Sequence, residues 1–346
     1  MSVLDRIGVS RTIETGNPWR LDWTEITAPN GCTMRGGYLP VDGLRDFDCA
    51  TPRSYAIPRR DFDSQLFEHV RRLPGVDVLE GCKVKGLLYD GGSIAGVRAV
   101  LNGEIVQLRG KTVIGADGVH SSIARDIGCF NNAPNHRVFA MRAYFEDVEL
   151  LGHGPELYYE PYLMPAYAWV IPTGQRTANV GLGVGTRFVP AKNIREMFAR
   201  FTERNVRLRE KLRNARIVEG SLKACPLPLG SFKSKRGVGN VLLAGDAGSF
   251  VDPISGEGIY YALSSGEHAA AAVVEVVRAG RPPSSAGVVY EKRWRRDFRW
   301  KYFMGYQLQP LINSKSISRA SRNPRKARVI ASVLGLRGSK LRLLFI

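Results

Sequence analysis

The segment that most constrains this chain is a short apolar run that ends in glycine and aspartate. Residues Val241–Ala244 are followed directly by Gly245 and Asp246. A short run of apolar residues is typical of a strand that is buried on both faces, and a glycine after it lets the backbone turn sharply. The Asp246 carboxylate then lies at the strand end, where it can accept hydrogen bonds from ligand hydroxyl groups. The segment predicts a buried strand with a ligand-binding end.

The sequence after Asp246 predicts a second half of the same site. Residues Asp252–Ile259 contain Gly256 and Gly258 and lead into a helical pattern, which we expect to run as one long helix from Gly256 to Ala279. The free N–H groups and positive dipole end of such a helix stabilise negative charge, such as that on the pyrimidine edge of a reduced flavin. An ordinary turn with Asp246 as a helix N-cap explains either half alone, but both halves together favour a site.

Two earlier segments have similar features. Thr112–Gly118 predicts a buried strand that enters an Asp-Gly turn, followed by a helix over Ser121–Ile127. A lone Asp-Gly pair is more often only a tight turn. Asp61–Val70 has apolar residues at helical spacing, with Arg59 just before it. A solvated arginine near a helix N-terminus is the structural alternative for Arg59.

The remaining pattern favours antiparallel strands. Val76–Leu79 predicts a strand, Lys83–Val113 an antiparallel meander, and Arg137–Gly185 further antiparallel strands, whereas Ala191–Leu212 predicts a helix. The fold class is therefore α/β (mixed α+β), with a Rossmann-like nucleotide-binding layer, an inserted antiparallel β-sheet domain and a helical C-terminus.

The positive charge is concentrated near the C-terminus. The formal net charge is +18, and residues 278–346 hold 17 Lys and Arg against Glu291 and Asp297, so 17 − 2 = +15 lies there. Arg325–Ile346 interleaves cations with apolar residues, which is typical of an interfacial anchor on anionic lipid. A solvated basic tail is the alternative. We expect no nucleic-acid partner, because no recognition module accompanies the charge.

Several classes of protein are excluded. No apolar run approaches the ~20 residues of a membrane-spanning helix, and no signal sequence opens the chain. The cysteines form no CxxC pair and the histidines no HExxH pattern, so we expect no metal site. These absences predict a cytoplasmic protein, with peripheral attachment to the inner face of the membrane as a further expectation.

The motifs together carry a family resemblance. Residues Gly239–Ile259 resemble the second FAD motif shared by geranylgeranyl reductases, aromatic hydroxylases and flavin-dependent halogenases, and the Asp-Pro-x-x-Gly-Glu-Gly-Ile form resembles the reductases most. Asp117 and Gly118 are similar to the superfamily's Asp-Gly motif, and Arg59 to the arginine of its Arg-x-x-Phe-Asp-x-x-Leu helix start. The resemblance implies bound FAD. It implies these cofactor-binding residues: Arg59, Val84, Asp117, Gly118, Gly245, Asp246, Gly256, Gly258 and Ile259.

The segment Tyr162–Pro172 bears on the substrate. It resembles the reductases' Pro-Gly-Tyr-x-Trp-Phe-Pro region, with Ala166 in place of the glycine, while its end is also similar to the halogenases' Trp-x-Trp-x-Ile-Pro. Tyr167 and Trp169 alternate along a strand and can form an apolar wall for a flavin or a prenyl chain. We expect Tyr167, Trp169 and Pro172 to bind substrate, although an aromatic pair is as often plain core.

The resemblance implies a reaction as well as a cofactor. It implies an FAD-dependent reductase that saturates C=C bonds of an isoprenoid, such as a geranylgeranyl lipid, a chlorophyll-type chain or a prenylquinone. NADPH or a ferredoxin-type protein would donate electrons, and no residue stands out as a proton donor. The alternatives are a flavin monooxygenase or halogenase acting on an aromatic substrate, and a non-catalytic relative.

The resemblance begins partway into the superfamily pattern. Members start with a strand, a G-x-G-x-x-G turn and a helix, and this sequence does not contain that unit. We expect the nucleotide-binding layer to be incomplete at its N-terminus, through a truncated start or, alternatively, a divergence that lost tight FAD binding. The expected domains are an FAD-binding domain (1–18, 52–130 and 236–280), a substrate-binding β-rich domain (19–51 and 131–235) and a basic helical region (281–346).

Overall fold

The computed structural model describes residues 2–37, 54–131, 133–323 and 344–345. The helices are α1 (Ser2–Arg6), α2 (Ser10–Thr15), α3 (Arg59–Arg71), α4 (Ser122–Asp126), α5 (Ile194–Arg204), α6 (Val206–Lys211), α7 (Ile259–Arg278), α8 (Ala286–Leu308) and α9 (Ser314–Ser321). The first strands are β1 (Trp19–Arg20), β2 (Trp23–Thr27), β3 (Thr33–Gly37), β4 (Tyr55–Ile57), β5 (Lys83–Asp90), β6 (Ser93–Leu101), β7 (Glu104–Arg109) and β8 (Val113–Gly115). The later strands are β9 (Arg137–Glu146), β10 (Glu156–Tyr158), β11 (Ala168–Pro172), β12 (Ala178–Gly185), β13 (Arg216–Ile217), β14 (Lys223–Pro228), β15 (Gly237–Val238), β16 (Val241–Leu243) and β17 (Leu344–Phe345).

The chain divides into two compact units, each built from separate stretches of sequence. Unit 1 comprises residues 1–74, 138–226 and 310–346, and unit 2 comprises residues 75–137 and 227–309. Both helices and sheets are present, so the predicted mixed α/β class is confirmed. The finer domain boundaries given above stay a prediction.

Unit 1 is built on a mixed sheet in the order β13-β9-β12-β11-β10-β2-β3, with β14 also paired to β9. Along the order β13-β9-β12-β11-β10-β2-β3, pairing is antiparallel except between β10 and β2, which largely confirms the strands predicted over Arg137–Gly185. Every residue of the central strand β12 is buried. Helix α5 packs Phe198 and Phe201 into the same core as Val170 and Val180.

The helix predicted over Ala191–Leu212 is broken into α5 and α6. Asn205 has an extended backbone (φ −70°, ψ 115°), and its side-chain oxygen accepts a hydrogen bond from the Leu208 N–H at 3.1 Å. Asparagine competes in this way for backbone donors and so favours a cap over a helix interior. The single-helix prediction was wrong because this cap was missed.

In unit 2, β5, β6 and β7 form the predicted antiparallel meander. Its two turns have positive φ at Gly91 (54°), Gly92 (79°), Asn102 (53°) and Gly103 (85°), as tight hairpin turns require. The strand predicted at Val76–Leu79 was wrong. That segment lies outside the strands, and Val76 and Leu79 are exposed, because no strand in the described residues pairs with it.

The other sheet of unit 2 has the order β15-β16-β8, with β16 and β8 parallel. The two faces of β16 are covered by different elements. Val241 and Leu243 pack with Ile123 of α4, whereas Leu242 packs with Trp294 of α8. Burial on both faces explains why the residues Val241–Ala244 form a continuous apolar run.

Strand β8 was predicted to be buried, and only part of it is. Gly115 is buried, but Ile114 is 45% exposed, because among the described residues β8 is the edge strand of its sheet.

None of the helices in the described ranges is long and apolar enough to cross a lipid bilayer.

Candidate functional site

The parallel pair in unit 2 brings two predicted acidic positions to one edge. Leu243 lies opposite Gly115, and the Ala244 N–H donates to the Gly115 carbonyl at 2.9 Å. Asp246 and Asp117 each follow the carboxyl end of their strand within a few residues. In open α/β sheets, ligands bind in the crevice outside the carboxyl ends of the strands. The edge formed by these two strand ends is therefore the candidate site.

Asp117 is held by the start of α4. Its carboxylate accepts hydrogen bonds from the Ser121 hydroxyl (2.5 Å) and from the backbone N–H groups of Ser122 (2.7 Å) and Ile123 (3.3 Å). Partial burial acts to raise the pKa of this carboxyl, but the hydrogen bonds outweigh burial and hold the pKa below its ordinary value. Asp117 thus shapes the turn as a fixed negative charge.

Gly118 leaves open space beside that turn. Its φ is +76°, a conformation that favours glycine, and a Cβ built on it would meet no heavy atom within 4 Å. The small residue lets another molecule approach the backbone closely. This geometry fits the predicted contact with a pyrophosphate.

The turn after β16 also depends on a glycine. Gly245 has φ +56°, and a Cβ there would come within 3.2 Å of the Ala262 side chain on α7. The Gly245 N–H donates to the Ser265 hydroxyl oxygen of α7 at 2.9 Å. The glycine therefore lets α7 pack directly against the strand end, and Asp246 follows in a half-buried position.

Asp246 lies close to the start of α7. A Cβ built on Gly258 would be 3.9 Å from the Asp246 Oδ1 atom. The helix begins at Ile259, and its N-cap residue is Gly258, which has no side chain to cap the first turn. The prediction that the helix starts at Gly256 was wrong by three residues: Gly256 has φ +70°, which is incompatible with a right-handed helix. Gly256 and Gly258 instead precede the helix, and Ile259 is its first residue.

Asp252 organises the loop between Asp246 and α7. It is buried, its Oδ1 accepts from the N–H groups of Ile254 (2.9 Å) and Ser255 (2.8 Å), and its Oδ2 accepts from the Tyr261 hydroxyl (2.8 Å). Lys301 Nζ lies 3.2 Å from Oδ2. Burial acts to raise the pKa of this carboxyl, but Lys301 and the hydrogen bonds hold it below its ordinary value. Asp252 was part of the predicted motif, but its role in organising this loop was not predicted from the sequence.

A buried cation fixes the carbonyl groups that follow Asp246. The Arg236 guanidinium is fully buried and donates to the carbonyl oxygens of Gly248 (2.6 Å), Ser249 (2.8 Å) and Ser231 (3.1 Å). It also lies over the Trp294 ring, 4.0 Å from the centroid. Burial lowers its pKa from the ordinary value, but an arginine stays charged in proteins. No sequence pattern indicated this residue.

Helix α8 holds the same loop from another side. The Tyr290 hydroxyl donates to the Leu243 carbonyl (2.6 Å) and the Tyr302 hydroxyl to the Phe250 carbonyl (2.9 Å). Just after the helix, Gln309 Nε2 donates to the Pro253 carbonyl (2.6 Å). A signal was present in the sequence, because buried aromatic residues recur at every fourth position of α8. They are Tyr290, Trp294, Phe298, Tyr302 and Tyr306.

Val84, predicted to contact adenine through its backbone, lies in β5 and is 36% exposed. The register of β5 and β6 shifts between Val84 and Gly86. Strand β5 is tied to α4, because the Leu87 N–H donates to the Asp126 carboxylate at 2.7 Å. Val84 therefore belongs to the same unit as Asp117 and Asp246, and its adenine contact stays a prediction.

Arg59 belongs to unit 1, where it is the first residue of α3. Its guanidinium forms two hydrogen bonds with Asp63, from Nε to Oδ1 (3.0 Å) and from Nη2 to Oδ2 (2.9 Å), and its side chain is 48% exposed. This pairing is the arrangement expected of a solvated helix-start arginine. Its role toward a flavin stays a prediction.

The predicted substrate residues lie together in unit 1. Tyr167 and Trp169 meet edge to face with ring centroids 6.3 Å apart, and Trp169 Nε1 donates to Asn179 Oδ1 at 2.7 Å. A Cβ on Gly181 would lie 2.3 Å from the Trp169 ring, so this glycine is what lets the indole lie against the sheet. Pro172 ends β11 and is buried. Both rings are half-buried, as a wall with one open side would be.

The parallel strand pair, the two acidic turns and the glycine at the start of α7 define a dinucleotide-binding α/β protein. The chain belongs to the FAD binding domain family, whose match covers residues 1–293. The predicted FAD cofactor class is thereby confirmed. The residues present fit the group, because the space beside Gly118 is open and the N-cap residue of α7 is a glycine, whose backbone a ligand can approach closely.

Relatives of this chain carry the name that the resemblance predicted. A digeranylgeranylglycerophospholipid reductase of Methanosphaerula palustris is 31% identical over 247 residues, which are 70% of this chain and 59% of the relative. Digeranylgeranylglycerophospholipid reductase 1 of Methanococcoides burtonii is 29% identical over 293 residues, 83% of this chain and 67% of the relative. The predicted resemblance to geranylgeranyl reductases is confirmed. The chain spans about three fifths of the first relative's length.

Solved structures agree on the fold. A geranylgeranyl bacteriochlorophyll reductase-like protein of Thermoplasma acidophilum superposes with a TM-score of 0.81 at 22% identity, covering 96% of this chain and 84% of that one. The myxobacterial chondrochloren halogenase superposes with a TM-score of 0.69 at 19% identity, covering 96% and 78%. Within the described residues, no group of three or more His, Cys, Asp or Glu side chains could hold a metal ion.

Proposed function

We propose that this protein is an FAD-dependent reductase that saturates C=C bonds in the isoprenoid chain of a lipid. The observation that carries the proposal is the convergence of Asp117, Asp246 and the start of α7 at one sheet edge. The names of the relatives support a prenyl-lipid substrate. Geranylgeranyl lipids, chlorophyll-type chains and prenylquinones are the candidate substrates.

Bound FAD, once reduced by NADPH or a ferredoxin-type donor, supplies the hydride for such a reaction. The chain itself holds and orients the cofactor. Asp246 would accept hydrogen bonds from ribityl hydroxyl groups, and Gly256, Gly258 and Ile259 would present N–H groups to the negatively charged pyrimidine edge.

The remaining predicted residues have proposed roles toward the cofactor or the substrate. Asp117 and Gly118 would form the turn beside the pyrophosphate, and Val84 would contact the adenine edge through its backbone. Arg59 would reach the flavin side from α3. Tyr167, Trp169 and Pro172 would give the prenyl chain an apolar wall, because aromatic faces bind apolar ligands without directional bonds.

The reaction is tested with the full chain, FAD, dithionite as reductant and a geranylgeranyl glycerophospholipid. We expect mass spectrometry to show the addition of two hydrogen atoms for each bond saturated. A flavin-loaded protein that leaves geranylgeranyl lipids and prenylquinones unsaturated would contradict the proposal. Flavin-dependent oxygen consumption that requires an aromatic substrate would favour a monooxygenase instead.

The assignment of Asp246 is tested by FAD titration followed by flavin fluorescence. Asp246→Asn removes the charged acceptor, and a charge-assisted hydrogen bond to a ligand is worth about 10- to 100-fold in affinity. Asp77→Asn, an exposed aspartate in the same unit, is the matched control. Equal FAD affinities of the two variants would remove Asp246 from the site.

A further inference from the structure

Helix α8 has an outward face that the proposed flavin site does not use. Trp300 is 71% exposed and Val288 is 62% exposed on this helix. The Trp300 ring stacks on Phe303 with centroids 5.4 Å apart and planes 28° apart, and Phe303 in turn meets Phe232 edge to face at 5.2 Å. A group of aromatic side chains in contact at the surface, unlike a single exposed apolar residue, is typical of an interaction site. We call this surface the Trp300 face.

Cations lie along the same side of the helix. On an α-helix, residues three or four apart share a face, and Lys292, Arg296 and Arg299 alternate in this way with Val288, Trp300 and Phe303. All three cations are exposed. Lys233 adds a charge beside the aromatic cluster, with Nζ 5.7 Å from the centroid of the Phe232 ring.

Negative charge is scarce near these cations. Asp297 pairs with Arg296 (Nε to Oδ1, 2.8 Å), and its other oxygen lies 3.0 Å from His268 Nε2 of α7, toward the interior. Glu291 is turned to the inner side, where it accepts from the N–H groups of Arg236 and Gly237. The Trp300 face therefore carries a net positive charge around an aromatic centre.

We propose that the Trp300 face docks on an anionic lipid bilayer. Tryptophan is enriched at the membrane interface, and lysine and arginine beside it are attracted to anionic headgroups. This surface is separate from Arg325–Ile346, the predicted interfacial anchor, nearly all of which lies outside the described residues.

The docking is tested by vesicle flotation with the full chain, comparing phosphatidylcholine vesicles with vesicles of phosphatidylcholine and phosphatidylglycerol. We expect binding to the mixed vesicles. Lys292→Gln/Arg299→Gln should weaken it by about 30-fold at low ionic strength, since each cation near an anionic surface is worth about fivefold in binding, and added salt should reduce this effect. Arg98→Gln/Lys111→Gln removes two exposed charges elsewhere in the same unit and should leave binding unchanged.

A second measurement reports on Trp300 itself, independently of any other basic segment. Phospholipids brominated along the acyl chain quench only those tryptophans that enter the bilayer. We expect quenching in the parent chain and its loss in Trp300→Phe, with circular dichroism showing that the variant is folded. Trp23→Phe, which alters a tryptophan in unit 1, should keep the quenching.

Three results would overturn the proposal. The first is equal vesicle binding by the Lys292→Gln/Arg299→Gln and Arg98→Gln/Lys111→Gln variants. The second is vesicle binding with no Trp300-dependent quenching. The third is that the protein binds a single-stranded oligonucleotide, and that Lys292→Gln/Arg299→Gln abolishes this binding but not vesicle binding. That result would assign the Trp300 face to nucleic acid.

Discussion

The turn after β8 is held by its own neighbours in sequence, whereas the loop after β16 is held both by its own residues and by residues outside it. Asp117 bonds to Ser121, Ser122 and Ile123, all within a few positions. The loop from Gly245 to Gly258 has local bonds to Asp252, and its carbonyl groups also accept from Arg236, from Tyr302 of α8 and from Gln309. Both turns lie at the same sheet edge. They differ in which residues form hydrogen bonds with them and not in where they lie.

This contrast separates two ways of building a ligand-binding turn. A locally supported turn depends on α4, which has only five residues. A substitution that breaks this turn should therefore affect only the turn and α4. A remotely supported loop shares the buried aromatic core of α7 and α8. Damage to that core should therefore reach both the loop and the global stability of unit 2.

The largest effect is expected from Arg236→Met. The change leaves the carbonyl groups of Gly248, Ser249 and Ser231 without their charged donor, and we expect a loss of about 4 kcal/mol in the free energy of unfolding. Hydrogen exchange should become faster over residues 245–258 while residues 117–126 keep their protection. Mass spectrometry of the exchanged peptides measures both regions at once.

Two further variants control for that result. Arg236→Lys keeps the charge but presents fewer donors, so its stability should lie between those of the parent and Arg236→Met. Arg209→Met replaces an exposed arginine and should have little effect. If exchange accelerated equally in both turns, the distinction between local and remote support would be lost.

An intermediate effect is expected from Asp252→Asn. The substitution keeps the shape but removes the charge that faces Lys301, and we expect a loss of about 2 kcal/mol at neutral pH. Chemical denaturation of the parent and the variant at several pH values measures the difference.

The pH dependence of that difference follows from the lowered pKa of Asp252. A carboxyl whose pKa is lower in the folded than in the unfolded protein stabilises the fold above its ordinary value of 3.8, and this contribution is lost as the pH falls through the folded value. The gap between parent and variant should thus be full at pH 7 and shrink in acid. A gap that stays constant down to acid unfolding would show that the charge of Asp252 is not what holds the loop.

The smallest effect on stability is expected from Asp117→Ala. Loss of a capping side chain costs about 1 kcal/mol, and hydrogen exchange should accelerate over residues 117–126 alone. FAD affinity, titrated in parallel, should fall through the loss of the turn. Faster exchange in residues 245–258 would mean that the two turns support each other, contrary to the comparison.

The same contrast explains what could be predicted from the sequence. The β16 strand, the meander turns and α3 follow from local patterns, and each was predicted close to its observed place. The acidic positions Asp117 and Asp246 could be proposed as site residues because each follows an apolar strand, a relation that is visible within ten residues.

Long-range support was not predicted. Arg236 lies in a polar stretch beside Lys233 and Lys235 and does not stand out there, and only the folded chain brings it under Gly248 and Ser249. The aromatic residues at every fourth position of α8 indicate a buried helix face, but not that the Tyr302 hydroxyl bonds to the motif loop and the Tyr290 hydroxyl to the end of β16. Val76–Leu79 shows the opposite error, because a strand-like pattern forms a strand only where a partner strand pairs with it.

The carbonyl bonds that α8 makes to the motif loop have a consequence for cofactor exchange. Ordering a free backbone costs about 1–2 kcal/mol per residue in conformational entropy. Here the carbonyl groups of Phe250 and Pro253 are already bonded, by Tyr302 of α8 and by Gln309 just after it, so that cost is met when the chain folds and not when a ligand arrives. The loop is therefore preorganised. We expect a dinucleotide to bind and dissociate without any ordering or disordering of this backbone.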